Sequence, residues 1–124
     1  MGYESRIYIV EKYSLRDSNH GKRYARDIVT FDLSKVSHLS RKLREMPATD
    51  CYFYADDGNT HVLEDKYGAA LTECSPEELL EMVKHEIEVE GDHYSVYFAL
   101  LATLESIVEH RDHWGDVACL HYGY

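Results

Sequence analysis

The sequence predicts an α+β domain: an antiparallel sheet of about four strands with three helices, in the order β-β-α-β-β-(β)-α-α. Three observations predict it. Short segments rich in β-branched and aromatic residues recur along the first part of the chain, each followed by turn residues. The later part carries apolar residues at helical spacing behind a strong N-terminal cap. Neighbouring strand segments are joined by short turns, which favours antiparallel pairing. At 124 residues and 44% hydrophobic, the chain is long enough for one modest core. It is read as a single compact domain, residues 1–124.

Arg6-Ile7-Tyr8-Ile9-Val10 reads as a strand. Residues 14–24 are polar, with Asn19-His20-Gly21 as a turn signal. Asp27 to Leu33 then alternates, with Val29, Phe31 and Leu33 on one face. These two strands make a hairpin with a basic loop region: Arg16, Lys22, Arg23 and Arg26. Ser34 or Asp32 is expected to cap the next element. In that element Val36, Leu39, Leu43 and Met46 define one helix face, and Pro47 ends it. Lys35, Arg41, Lys42 and Arg44 lie mostly on its outside.

Cys51 to Ala55 is the next strand. Asp56-Asp57-Gly58-Asn59 supplies a turn and Thr60 to Leu63 returns. A short strand through Ala70-Leu71-Thr72 follows. Ser75-Pro76-Glu77-Glu78 is the sharpest local signal: Ser75 caps, Pro76 suits the first helical position, and Glu78 completes a capping box. Leu79, Leu80, Val83 and Ile87 form the buried face of that helix. Gly91 ends it, and Asp92 is expected to cap a third. The third helix runs through Tyr97, Leu100, Leu101, Leu104, Ile107 and Val108 to near Trp114-Gly115, and Leu101 and Leu104 are expected in the core. The tail, Val117 to Tyr124, is read as a short strand or coil.

No segment is long and apolar enough for a membrane span, and Met1 to Arg6 lacks the apolar run of a signal peptide. Cys51, Cys74 and Cys119 have neither an even count nor metal-ligand spacing. They read as reduced thiols, and the expected location is cytoplasmic. Cys51 reads as inert core. Cys74, just before a helix start, is the best candidate for a reactive thiol. His110 and His113, with Asp116 or Glu109, fall short of a zinc ligand set and read as helix-end residues. Asp56-Asp57-Gly58-Asn59 lacks the spacing of a calcium loop. There is no phosphate loop and no nucleophile elbow. The expectation is therefore a protein that is not an enzyme, with no catalytic residues, no metal and no cofactor.

Charge is the strongest pointer to function. Residues 1–49 carry ten Lys+Arg against six Asp+Glu, a net of +4; residues 50–124 carry three against seventeen, a net of −14. A surface this acidic repels phosphate and attracts basic partners. The two last helices do not suit DNA, because a recognition helix needs Lys and Arg. Carboxylates on helices and hairpins can instead imitate a phosphate backbone. Eleven tyrosines add side chains suited both to strands and to binding surfaces.

With Tyr52-Phe53-Tyr54-Ala55-Asp56-Asp57-Gly58-Asn59, the acidic helix Ser75 to Glu90, and an α+β order without a catalytic motif, the chain resembles the small acidic proteins of bacteriophages and mobile elements. Among these it is most similar in character to the anti-CRISPR inhibitors. The resemblance implies a protein that binds a Cas effector nuclease by occupying a groove meant for DNA. The basic first half departs from a uniformly acidic DNA mimic. The residues expected to meet a basic partner are Asp56, Asp57, Glu64, Asp65, Glu77, Glu78, Glu81, Glu86, Glu88 and Glu90, with Tyr52 and Tyr54 as aromatic anchors. The alternative is a self-associating accessory or structural protein, a homo-oligomer in which the basic N-terminal half of one copy meets the acidic half of another. A third reading, a small enzyme or metal-dependent factor, rests on the His110/His113 region or Cys74.

Overall fold

Ten elements follow one another in the computed structural model, which describes residues 5–14, 23–54, 61–62, 70–90 and 94–123. They are β1 (Ser5–Ser14), β2 (Arg23–Asp32), α1 (Ser37–Arg44), β3 (Cys51–Tyr54), β4 (His61–Val62), β5 (Thr72–Cys74), α2 (Pro76–Glu90), α3 (Ser95–Glu109), α4 (Arg111–Trp114) and β6 (Val117–Gly123). All six strands join one sheet in the order β4-β3-β2-β1-β6-β5. Four of them, β2-β1-β6-β5, are antiparallel throughout. The β3–β4 hairpin extends the sheet through a parallel pairing of β2 with β3. The domain is α+β, and its sheet is wider than the four strands expected. The extra width comes mainly from the tail: β6 lies between β1 and β5 as an interior strand.

The sheet buries side chains on both faces. Ile7, Ile9, Val117 and Cys119 pack against the helices, while Tyr8, Val10, Ala118 and Leu120 alternate onto a second cluster with Ala25, Cys51 and Leu71. Period-two alternation of a strand divides the two sets. One irregularity matters. Ile9 pairs with Val29 but Val10 with Asp27, so Ile28 is an extra residue in β2. That bulge allows the neighbours Ile28 and Val29 both to pack on the helix-side core.

α1 buries Val36, Leu39 and Leu43, with Met46 partly buried against the same core. Its start differs from expectation. Val36 occupies the N-cap position without a side-chain bond. Asp32 instead accepts hydrogen bonds from the backbone N–H and hydroxyl of Ser34, at 2.9 and 2.6 Å. These bonds hold the Asp32 carboxyl below its usual value and fix the turn before the helix. Arg41, Lys42 and Arg44 occupy the last turn, where the helix dipole favours cations.

The capping box of α2 forms in full. The Glu78 N–H donates to Ser75 Oγ at 3.0 Å, and the Ser75 N–H donates to Glu78 Oε1 at 3.1 Å. Leu79, Leu80 and Val83 are buried and Ile87 partly so. α3 buries Tyr97, Leu100, Leu104 and Ile107. Leu101, expected in the core, sits at the flank of this stripe and is only partly buried. Asp92 lies outside the described residues; Tyr94 holds the N-cap position without a side-chain bond. The single turn of α4 follows, and Gly115, at φ 70°, turns the chain into β6. Among the described residues no helix is long and apolar enough to cross a membrane.

Leu104 is fully buried, so Leu104→Ala should lower stability by about 2–5 kcal/mol in urea melts. Ser75→Ala should cost about 0.5–2 kcal/mol, the usual range for a lost N-cap. A Leu104→Ala loss no larger than that of an exposed-site variant would place α3 the wrong way round.

Candidate functional site

α2, α3 and α4 carry the acidic surface. Glu77, Glu78, Glu81 and Glu88 on α2, Glu105 and Glu109 on α3, Asp112 on α4 and Asp116 beyond it are all exposed. Glu81 and Glu88 lie seven residues apart, so they project from the same side of α2 two turns from each other. Glu105 and Glu109 are one turn apart on α3, which packs against α2. Two cations sit among them. Lys84 reaches Glu81 at 4.0 Å, a weak exposed pair, and Arg111 bonds Glu77 at 2.8 Å. Val89 and Phe98 are the large hydrophobic side chains left exposed among the described residues, one on each helix.

The expected partner residues divide into four groups. Glu81 and Glu88 are exposed on α2, with Lys84 at the edge of reach of Glu81. Glu77 and Glu78 are exposed but committed, one to Arg111 and one to the capping box. The Glu77 carboxyl is held below its usual value by its own backbone N–H at the helix start, and by Arg111 against the opposing effect of desolvation. Glu86 and Glu90 turn inward, a correction to their expected place on the surface. Glu86 is only 2% exposed and pairs with Lys42 of α1, while Glu90 accepts the Tyr97 hydroxyl at 3.2 Å. The four-residue spacing of Glu86 and Glu90 puts both on the stripe of Leu79 and Val83, which settles their direction. Asp56, Asp57, Glu64 and Asp65 lie outside the described residues. So do the side chains of Tyr52 and Tyr54, whose backbone forms β3. Glu105 and Glu109 were missed by sequence reasoning, although their one-turn spacing opposite the Leu100–Leu104 stripe was a usable signal.

Of the basic residues assigned to the first hairpin, Arg16 and Lys22 lie outside the described residues. Arg26 is exposed and stands over the ring of Tyr13, 5.0 Å from its centre. Tyr13 stacks on Tyr24 across the β1–β2 pair, with ring centres 5.7 Å apart.

A cleft of about 580 Å³ opens beside the start of α2, between Lys12, Asp50, Glu73, Cys74, Arg111 and Asp116. Its charges are largely paired. Lys12 donates to one oxygen of Glu73 at 2.6 Å, and Thr49 donates to the other at 2.7 Å. Asp50, Cys51 and Glu73 cluster closely enough for a metal ion, but both Glu73 oxygens are taken and burial pushes the Cys51 thiol up. That donor set fits a cation poorly. Cys74, the expected reactive thiol, is buried and faces Cys119 directly across β5 and β6. Its hydrogen bond to Cys119 and burial hold the Cys119 thiol well above the usual range.

Sequence reasoning also missed a buried polar chain. Ser5 Oγ lies 2.9 Å from His121 Nε2 and 2.6 Å from Ser40 Oγ, joining β1, β6 and α1. A serine beside a histidine is the pairing used for nucleophilic catalysis. Here Ser5, Ser40 and His121 are all buried, and the contact ties three elements together. His113 is exposed and meets Trp114 edge-on at 6.0 Å.

Glu77→Gln tests the Arg111 pair. A lowered carboxyl value means the stability it contributes is present above the ordinary value of 4.5 and is lost as pH falls through the lowered one. The parent should therefore exceed the variant in urea midpoint at pH 7, and the gap should close as the solution is acidified below 4.5. A gap that stays constant down to acid unfolding would remove the pair from the account.

Comparisons with protein families, with curated proteins and with solved structures find no match for this chain.

Proposed function

We propose that this protein is a non-enzymatic binding protein that inhibits a nucleic-acid-handling partner, in the manner of an anti-CRISPR protein occupying the DNA groove of a Cas nuclease. The observation that supports the reading is the outward acidic surface of α2 and α3, with Glu81, Glu88, Glu105 and Glu109 exposed and only Lys84 and Arg111 near them in the sequence of these helices. Two rows of carboxylates on rigid helices offer a basic groove what a phosphate backbone would offer. Exposed Val89 and Phe98 add apolar contact area, which controls dissociation more than the steered approach does.

The second reading, self-association, draws on the Lys42–Glu86 pair. Basic α1 and acidic α2 already match within one chain, and the exposed Arg41 and Glu88 extend the same complementarity outward.

The test is competition on a partner recovered from the host. Nucleic acid and this protein should displace one another, and added salt should slow association. Replacing Glu81, Glu88 and Glu109 together with Lys should weaken binding on the order of tenfold or more, as loss of electrostatic steering does. The variant should keep its helical signal, because exposed sites tolerate substitution within about 0.5 kcal/mol each. Simultaneous binding of protein and nucleic acid, with full inhibition by the triple variant, would refute mimicry. Salt-sensitive dimers in sedimentation, without any partner, would favour self-association.

A further inference from the structure

Between α1 and α2 the charged side chains form two one-turn pairs. His38 and Lys42 are four residues apart on α1, and Glu86 and Glu90 are four apart on α2. An imidazole nitrogen of His38 and one oxygen from each carboxylate all lie within 4.8 Å of one another. Zinc holds nitrogen and oxygen ligands at about 2.0–2.2 Å in a tetrahedron, which sets them roughly 3.3 Å apart. Ligation would draw the three atoms from within 4.8 Å to that spacing.

The surroundings are those of a ligand site. Lys42 Nζ engages Oε1 of Glu86, and the Tyr97 hydroxyl donates to Oε1 of Glu90. Each donor fixes one oxygen of a carboxylate that has two, the usual role of groups behind the ligands. Burial and the two glutamates keep the Tyr97 phenol protonated, so it remains a donor. Glu86, almost wholly buried, lies beside Glu90. Two neighbouring carboxylates repel one another and attract a cation. Lys42 brings one positive charge from the outside, against two carboxylates. His38 is exposed and gives an entry path.

We propose that His38, Glu86 and Glu90 form a divalent-metal site of the zinc class that bridges α1 and α2. The ion binds the two carboxylates in their charged form and the imidazole through a ring nitrogen. Three protein ligands leave a coordination position for water. Occupied, the site ties the basic helix to the acidic one. It is distinct from the His110/His113 region and does not depend on the acidic surface having a partner.

The test uses the full chain with zinc or cobalt(II) chloride and no partner. Cobalt should give a visible ligand-field absorption that saturates at one ion per chain and disappears on adding zinc. Zinc should raise the melting temperature, and magnesium at the same concentration should not. His38→Ala changes an exposed side chain and should leave the fold intact, while weakening cobalt affinity at least tenfold. A His110→Ala/His113→Ala variant should bind as the parent does. The proposal fails if cobalt gives no saturable absorption, or if magnesium matches zinc. It also fails if the signal survives His38→Ala unchanged or is lost in the His110/His113 variant.

Discussion

The fold depends on β6 being buried from both sides. Its backbone pairs with β1 along its whole length on one edge and with β5 at Cys119 to His121 on the other. Its side chains alternate between the helix-side core, with Val117 and Cys119, and the second cluster, with Ala118 and Leu120. Slipping the strand by one residue would exchange these sets and place His121 among the apolar side chains of the second face. The register is pinned further by the buried Ser5–His121 contact, and by Arg111, which bonds Glu77 and the carbonyl of Gly115. Because α2, α3 and α4 lie between β5 and β6 in the chain, their placement follows from that strand pair.

The opposite charges of the two parts of the chain partly meet inside it. Lys12 with Glu73 and Lys42 with Glu86 each join a residue of the basic part to one of the acidic part. These pairs sit where desolvation is costly, and extra donors complete them, Thr49 for Glu73 among them. The charge left outside is therefore sorted by position: cations on the outer side of α1, carboxylates on α2 and α3. The net charge of −10 is not spread evenly over the body. Its field is directional, and direction is what orients an approaching partner.

Where local physics decided an outcome, the residues announced it. Ser75 to Glu78 gave the start of α2 because both halves of a capping box are encoded within four residues. The face of α1 followed from Val36, Leu39 and Leu43. β6 was harder to read, because a strand buried on both faces loses the polar–apolar alternation that marks a half-exposed one. Val117-Ala118-Cys119-Leu120 is a continuous apolar run of that kind. The parallel β2–β3 pairing was hidden for another reason: short turns suggest antiparallel neighbours, and only the return of the chain through α1 sets the direction. At the candidate surface, counting carboxylates located residues that are exposed, Glu77, Glu78, Glu81 and Glu88 on α2. It failed for Glu86 and Glu90, where a charge lies on the apolar stripe and a cation from another element, Lys42, meets it. A one-dimensional pattern contains no record of that encounter.

The pairing of Ser5 with Gly123 joins strands from opposite ends of the sequence at the middle of the sheet. This has a consequence for how the chain acquires its structure. The β1–β2 hairpin is local and can form early, but until β6 arrives β1 has an open edge and Ile7 and Ile9 lack part of their cover. β6 is synthesised after the other strands of this sheet. A nascent chain therefore carries an unpaired, apolar strand edge from the emergence of β1 until that of β6, the kind of surface that chaperones bind and that other chains can pair with.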